Sequence, residues 1–368
     1  MNAQLQTPSG KPRARSLGIR FDGEPGEFNA ITDIAGVEVG YATLNRGEGR
    51  LRTGEGPVRT GVTAILPRGR KQVMAPLFAG GFSLNGNGEL TGLHWVEESG
   101  LCETPITITN THSCGLARDA TIRWLIERLG ADFDRWVLPI AGETFDGELN
   151  DINGFHVTER DVFQALDEAR GGALELGSVG GGTGMICYDF KGGSGSASRC
   201  CETAGERYCL GVFVQANFGQ RRELMVCGVP VGRHIPGGEV RSRGASSIIA
   251  VAATDAPLLP HQLKRLARRV SLGLARTGSV SHNGSGDLFL ALSTANRDAL
   301  NGRAPRAEAT FLANDALDPL FTAVVEASEE AVVDAMIANE TMTGRDGLTV
   351  TALPHDRLME LYRRYRPD

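Results

Sequence analysis

The stretch GASSIIAVAATD, residues 244–255, decides the fold, because small polar residues lead there into an apolar run from Ile248 to Ala253. An apolar run of this length without polar alternation predicts a strand buried on both faces, in the middle of a layered domain. The preceding residues 235–244, IPGGEVRSRG, combine proline, glycine and charge, which is typical of an exposed loop. The sequence therefore predicts that serines stand where an exposed loop enters a central strand.

A serine at such a junction has two interpretations. As ordinary turn chemistry, it does no more than mark the start of the strand. If the chain is cut just before it, the serine becomes a new N-terminus, and its free amine can take the proton of its own hydroxyl. An α-amine has a pKa of about 7.7–8.0, which suits a general base at neutral pH. The second interpretation predicts an N-terminal nucleophile.

Composition limits the class of protein. The chain has 368 residues, of which 41% are hydrophobic and 22% charged, as in an ordinary globular protein with a substantial core. Its net charge of -6 includes no block of like charge, so nothing indicates a nucleic-acid or membrane partner. The seven cysteines do not indicate a disulfide framework or a zinc site. We find no signal-peptide or transmembrane run and expect a cytoplasmic protein.

Strand and helix patterns alternate along the chain without a break in composition, which predicts one α+β sandwich over residues 1–368. We expect the first fifteen residues to be loosely held. The patterns predict strands at 31–40, 61–66, 105–110, 211–217, 224–229, 287–292 and 347–352, the fourth and fifth as a hairpin and the last closing the sheet. They predict helices near 116–129, 158–171, 260–276, 315–339 and 355–365.

Three other motifs have weaker functional interpretations. Residues 79–89 predict a glycine-rich loop, which lacks a phosphate-binding frame and therefore favours close backbone packing or a substrate wall. His112 and Cys114 resemble a catalytic pair but lie only two residues apart on a turn. Residues 141–151 carry four carboxylates, which favours either a solvated acidic loop or a site for a cation or an amine.

Several of these segments together resemble the DmpA family of L-aminopeptidases and D-amidase-esterases, which includes the β-peptidyl aminopeptidases. The resemblance runs from about Arg13 to the C-terminus. Its motifs are PGEFNAITD at 25–33, NTHS at 110–113, ETFDG at 143–147, LNDING at 149–154, ATDAPL at 253–258, RTG at 276–278 and SGDLFL at 285–290.

The resemblance implies a four-layer αββα sandwich that is similar to N-terminal-nucleophile hydrolases but differs in connectivity. It also implies that the precursor cleaves itself before a serine, which would give an α chain of residues 1–246 and a β chain of residues 247–368. No metal or cofactor is implied. Four αβ units would form the oligomer.

Two adjacent serines compete for the role of nucleophile. The family keeps a second serine 38 residues after the nucleophile and an acidic residue two positions further on. Counting from Ser247 gives Ser285 and Asp287, whereas counting from Ser246 gives two glycines. The resemblance therefore favours Ser247. Since the family often has glycine or asparagine before the cut, Ser246 is a mild departure, and Ser246 as the new N-terminus is the alternative.

The resemblance also assigns the remaining roles. Ser285 and Asp287 would orient the freed amine of Ser247 and relay protons, while Asn217 would donate to the oxyanion.

On the substrate side, Glu143 would hold the free ammonium group of the first residue, which explains aminopeptidase rather than endopeptidase behaviour. Phe145 stands where some members have tyrosine, a change that affects the preference among D-, L- and β-amino substrates. The substrates would be short peptides, amino-acid amides or esters with a free N-terminus.

Two alternatives belong to other classes. The related ornithine acetyltransferases share the fold and the self-cleavage but use a threonine nucleophile, against which Ser247 argues. An unprocessed, non-catalytic homologue would remain one intact chain of 39.2 kDa without turnover.

Overall fold

The computed structural model describes residues 2–130, 133–238, 240, 246–297, 299 and 305–366, and the predicted loop at 235–244 lies partly outside them. The strands among the described residues are β1 (Glu38–Arg46), β2 (Val58–Leu66), β3 (Leu77–Gly86), β4 (Leu101–Cys102), β5 (Ile106–Asn110), β6 (Ile140–Thr144), β7 (Ile186–Cys187), β8 (Phe190–Lys191), β9 (Gly193–Thr203), β10 (Glu206–Asn217), β11 (Ser246–Thr254), β12 (Ser285–Ser293), β13 (Met342–Thr343) and β14 (Thr349–Val350). The helices there are α1 (Leu93–Ser99), α2 (Cys114–Leu129), α3 (Glu159–Asp167), α4 (Val231–His234), α5 (Pro260–Arg276), α6 (Asp318–Ile337) and α7 (His355–Tyr365).

Strand β11 lies inside the larger sheet, whose order is β4-β3-β12-β11-β10-β9. It runs parallel to β12 and antiparallel to β10. All its residues are buried. Ile248 packs into the core formed with α5 and α6. Ile249, which points the opposite way, packs into the core between the two sheets. The prediction of a strand buried on both faces is confirmed.

The smaller sheet, in the order β1-β2-β5-β6, faces the larger one. Its inner side contributes Ile65 and Ile108 to the core between the sheets. Its outer side is covered by α2 and α3, where Trp124 and Leu166 belong to the same apolar cluster as Val62 of β2. The layers therefore follow the order helix, sheet, sheet, helix, which is the αββα sandwich that the resemblance implied.

Three strand predictions were wrong. Residues 31–33 form a 3-10 helix, and β1 begins only at Glu38. Residues 224–229 form a loop rather than a strand, and the hairpin partner of β10 is β9. The segment at 347–352 pairs with β13 in a separate two-stranded sheet and does not close the main one.

Strand β9 escaped prediction because it is rich in glycine, serine and cysteine. Its small residues allow α6 to approach closely, since a Cβ on Gly195 would lie 1.9 Å from the carbonyl oxygen of Ala331. The low hydrophobicity of β9 therefore reflects its close packing against α6.

The expectation of a loose N-terminus was also wrong. Arg13 is buried and its guanidinium lies 2.7 Å from the carboxylate of Asp334 in α6. Arg15 forms a second ion pair of 2.7 Å with the buried Glu330. Paired charges of this kind hold the segment on the outer helix layer.

The cysteines form no disulfide framework in the part of the chain that is described, but one disulfide joins Cys200 to Cys209. These residues lie opposite each other in the register of β9 and β10, so the bond is a local link between neighbouring strands.

Candidate active site

The site forms where β10, β11 and β12 meet. In the register of the sheet, Ser247 lies opposite Asn217 of β10 and beside Gly286 of β12, while Ser246 lies beside Ser285. All five residues are buried. Strands β10 and β12 therefore bring the two predicted partners, Asn217 and Ser285, to the start of β11.

The hydroxyl of Ser247 faces the peptide bond that precedes it. Its Oγ donates a hydrogen bond of 2.6 Å to the carbonyl oxygen of Ser246. The predicted nucleophile and the carbonyl group of the predicted scissile bond are thus in direct contact.

Asp287 accepts hydrogen bonds from two serine hydroxyls. Ser285 donates to Oδ1 at 2.5 Å, and Ser281 donates to Oδ2. Burial raises the pKa of the Asp287 carboxyl, an effect opposed by the two hydroxyls and by nearby His282. Sequence reasoning missed Ser281, because nothing in its spacing distinguishes it from the other polar residues of the loop.

Asn217 is fully buried and its side-chain amide is held at both ends. The Oδ1 atom accepts from the backbone N–H of Ile186 at 2.9 Å, and Nδ2 donates to the carbonyl oxygen of Phe145 at 2.8 Å. The amide nitrogen therefore faces the segment that carries Glu143 and Phe145.

Glu143 lies buried near the end of β6 in the opposite sheet. One carboxylate oxygen accepts from the backbone N–H of Glu89 at 3.0 Å, and the other accepts from the hydroxyl of Thr111. Burial raises the pKa of the Glu143 carboxyl, and these two donors oppose that rise while the charge of Glu89 adds to it.

Close backbone packing brings Glu143 near β12, the strand beside Ser247. A Cβ on Gly88 would lie 3.1 Å from Oε1 of Glu143 and 3.3 Å from Cα of Gly286. A Cβ on Gly286 would itself lie 2.3 Å from the carbonyl oxygen of Asn87. The glycine-rich residues 79–89 thus pack closely, as predicted, but they do not form the predicted loop, since residues up to Gly86 belong to strand β3.

His112 and Cys114 do not form a catalytic pair. Cys114 is buried and donates to the carbonyl oxygen of Ala141 at 3.4 Å, and burial raises the pKa of its thiol to about 12. His112 instead stacks on Phe155, with ring centroids 5.9 Å apart. A thiol with such a pKa is almost entirely protonated at neutral pH and is a weak nucleophile.

The acidic loop is not a solvated surface loop, because Glu143, Asp146 and Asp151 are buried. Asp146 accepts from the amide of Asn150 at 3.0 Å, and burial raises the pKa of its carboxyl to about 7. Within the described ranges, no group of three His, Cys, Asp or Glu residues is placed to hold a metal ion.

The αββα fold, together with the family and the relatives that follow, defines the class of protein, a serine hydrolase of the N-terminal-nucleophile type. Residues 29–350 match the model of Peptidase family S58, and the chain belongs to this family.

Curated relatives and solved structures agree with this assignment. The chain is 48% identical to the beta-peptidyl aminopeptidase BapA of Sphingosinicella microcystinivorans, over 96% of this chain and 93% of that one. It is 49% identical to the L-aminopeptidase D-Ala-esterase/amidase of Ochrobactrum anthropi, with a TM-score of 0.92 over 96% and 99% of the two chains. That structure is described as a prototype for the serine aminopeptidases and a new variant of the Ntn hydrolase fold.

A Burkholderia beta-aminopeptidase is 46% identical, with a TM-score of 0.87 over 96% of this chain and 100% of that one. As for membranes, the helices within the described residues are all too short or too polar to span a bilayer.

Proposed function

We propose that this chain is a self-processing serine aminopeptidase with Ser247 as its nucleophile. The observation that carries the proposal is the 2.6 Å hydrogen bond from the Ser247 hydroxyl to the carbonyl oxygen of Ser246, at the end of a strand flanked by Asn217 and Ser285. A serine that is to cut the bond before it needs its hydroxyl beside that carbonyl group.

Self-cleavage would begin when Oγ of Ser247 attacks the carbonyl carbon of Ser246. The C–N bond between the two residues breaks, an ester forms on Oγ, and the hydroxyl proton passes to the released amine. Water then hydrolyses the ester, which leaves a carboxylate on Ser246 and restores the Ser247 hydroxyl. The products are an α chain of residues 1–246 and a β chain of residues 247–368.

Turnover would use the same atoms. The neutral α-amine of Ser247 takes the Oγ proton, Oγ attacks the acyl carbon of the substrate, and the departing amine or alcohol receives the proton. Asn217 Nδ2 would donate to the oxyanion, an interaction that is worth about 3 kcal/mol in related chemistry. Water hydrolyses the acyl-enzyme and frees Ser247 for another cycle.

Glu143 would select for a free N-terminus. Its carboxylate is buried, is fixed by Glu89 and Thr111, and lies near the strand that flanks Ser247. An ammonium group beside it would form a charge-assisted hydrogen bond, whereas an acylated amine would leave the carboxylate without a charged partner. Phe145, whose backbone carbonyl contacts Asn217, would form part of the wall beside the substrate.

The substrate class follows from this arrangement together with the relatives, which are beta-peptidyl aminopeptidases and an L-aminopeptidase D-Ala-esterase/amidase. We propose that the chain releases N-terminal residues from short peptides, amides and esters. An assembly of four αβ units and a cytoplasmic location stay predictions.

Hydrolysis of β-alanyl p-nitroanilide and of its N-acetyl derivative tests this function. The wild-type chain should cleave the first compound and leave the second intact. Ser246→Ala should retain activity as the matched control, and Ser247→Ala should abolish it. Acetyl transfer from N-acetylornithine to glutamate without anilide hydrolysis would contradict the proposal and favour the acetyltransferase alternative.

A further inference from the structure

We propose that Ser281 is a positioning residue for catalysis: its hydroxyl fixes Asp287 so that Ser285 can only accept a hydrogen bond from the Ser247 amine. This inference rests on the proposed function. Ser281 lies outside the motifs that carry the family resemblance, in the loop between α5 and β12.

The first step concerns the direction of the hydrogen bonds. An ionised carboxylate accepts hydrogen bonds and donates none. With Ser285 on Oδ1 and Ser281 on Oδ2, both hydroxyl hydrogens point at Asp287. The Ser285 oxygen then has only lone pairs to offer to other groups. Ser285 is the register partner of Ser246, so its residue lies on the neighbouring strand at the level of the Ser246–Ser247 bond.

The second step concerns the amine that the cut releases. If Ser285 accepts one N–H of this amine, the nitrogen lone pair stays available for the Ser247 hydroxyl proton. If Ser285 instead donates to the nitrogen, it occupies that lone pair and prevents general-base action. The direction of the hydrogen bond between Ser285 and the amine thus decides whether the amine can act as the general base.

Several contacts of the loop between α5 and β12 fix the position of Ser281. Its φ of 53° lies in the left-handed region, which is unusual for a residue with a side chain. The backbone N–H of Ser281 donates to Oγ of Ser279 at 3.1 Å. The next residue, His282, pairs with Glu223 at 2.8 Å, and its carbonyl oxygen accepts from the amide of Asn85 at 2.8 Å.

Loss of the hydroxyl would leave Oδ2 of Asp287 buried without this donor, which favours protonation of the carboxyl. A protonated Asp287 would donate to Ser285 and reverse the hydrogen bond. Among the described residues, the charged or titratable groups around Asp287 are His282 on the same loop, Glu223 paired with His282, and the amine of Ser247 on β11 once it is formed. On β3, the register partner is the neutral Asn85.

The test uses two substitutions that separate the hydroxyl from the backbone. Ser281→Gly removes the hydroxyl but suits the left-handed backbone. Ser281→Thr keeps the hydroxyl, although its β-branched side chain is disfavoured at this φ, so rates are compared per cleaved chain. Asn283→Ala is the control, since Asn283 is exposed in the same loop and its backbone carbonyl is retained. We would measure kcat and KM for β-alanyl p-nitroanilide from pH 5 to 9, per mole of cleaved chain as quantified by intact mass.

We expect Ser281→Gly to lower kcat about 10- to 100-fold at neutral pH, the scale of a hydrogen bond to a charged group. Its KM should change little, and the acidic limb of its kcat profile should move to higher pH. Ser281→Thr should stay close to wild type. If Ser281→Gly is not cut while Ser281→Thr is cut and active, the hydroxyl requirement is supported.

A wild-type profile for Ser281→Gly would overturn the inference and leave the proposed function standing. So would an equal loss in Ser281→Gly and Ser281→Thr with unshifted limbs, or a failure of both to be cut, since either result would indicate a role for loop shape alone. No cleavage and no turnover in the wild-type chain would instead overturn the proposed function, and this inference with it.

Discussion

Asn217 lies directly opposite Ser247 in the antiparallel register of β10 and β11, and its Nδ2 is turned towards the carbonyl oxygen of Phe145. The amide is held in this orientation because its Oδ1 accepts from the N–H of Ile186. A buried, fixed donor beside the proposed nucleophile is suited to stabilising developing negative charge.

Asn217→Asp tests this donor. The substitution keeps an oxygen acceptor for the Ile186 N–H but removes the amide donor from the proposed oxyanion and from the Phe145 carbonyl oxygen. We expect kcat for β-alanyl p-nitroanilide to fall about 100- to 1,000-fold, with a much smaller change in KM. Asn217→Ala should lose kcat and also lower the melting temperature, because Ile186 loses its acceptor. An active Asn217→Asp enzyme would argue against the oxyanion role.

Glu143→Gln tests the ammonium site. Loss of the negative charge should raise KM for substrates with a free amine by about 10- to 100-fold, which is the scale of a charge-assisted hydrogen bond. The amide oxygen can keep the contact with the backbone N–H of Glu89, and the amide NH2 can donate to the Thr111 hydroxyl oxygen, so kcat should fall less. Steady-state kinetics would measure this split, and an unchanged KM would contradict the assignment.

The acid dependence of KM follows from the same group. Burial raises the pKa of Glu143, and the carboxylate binds an ammonium only when it is ionised. The KM of the wild-type enzyme should therefore rise as the pH falls through that raised pKa. Glu89→Gln removes a neighbouring negative charge that helps to raise the pKa of Glu143. The midpoint of the change in KM with pH should therefore move to lower pH. A midpoint that does not move would refute the coupling between these two carboxylates.

Asp146 should make stability depend on pH. Its pKa is raised to about 7 in the folded chain from an ordinary value of 3.8. As the pH rises from about 4 to 7, the unfolded chain releases this proton while the folded chain keeps it, so the free energy of unfolding falls. Asp146→Asn does not titrate, and its melting temperature relative to wild type should increase from pH 4.5 to pH 8.

Asp119→Asn, at an exposed position of α2, is the control for the loss of a carboxylate charge. A melting-temperature difference between Asp146→Asn and wild type that stays constant with pH would contradict the prediction for Asp146.

The sequence was informative where one strand or one helix decides the pattern. The apolar run from Ile248 to Ala253 was sufficient to predict a central strand. The helix that follows Thr158 was also recognisable from its capping-box pattern, and in the structure the Asp161 carboxylate accepts from the backbone N–H of Thr158 at 2.8 Å. Both signals arise from residues close together in the chain.

The parts that failed depend on contacts between distant segments. Strand β9 is packed through its small residues, so hydrophobicity did not reveal it. The fixing of Glu143 requires Glu89 and Thr111 from two other segments, and the N-terminal Arg13 finds its partner in α6. Ser281 gained its interpretation only when the fold placed it against Asp287. Contacts between segments so far apart in the chain leave no pattern in the local sequence.

The most direct test of the account is the intact mass of purified protein, combined with N-terminal sequencing. We predict two chains, the second beginning Ser247-Ile248-Ile249, with Ser246→Ala cut at the same bond and Ser247→Ala left whole. A second chain that begins at Ser246 would keep the class of enzyme but overturn the assignment of the nucleophile. A single chain of 39.2 kDa that stays uncut on incubation would contradict the mechanism.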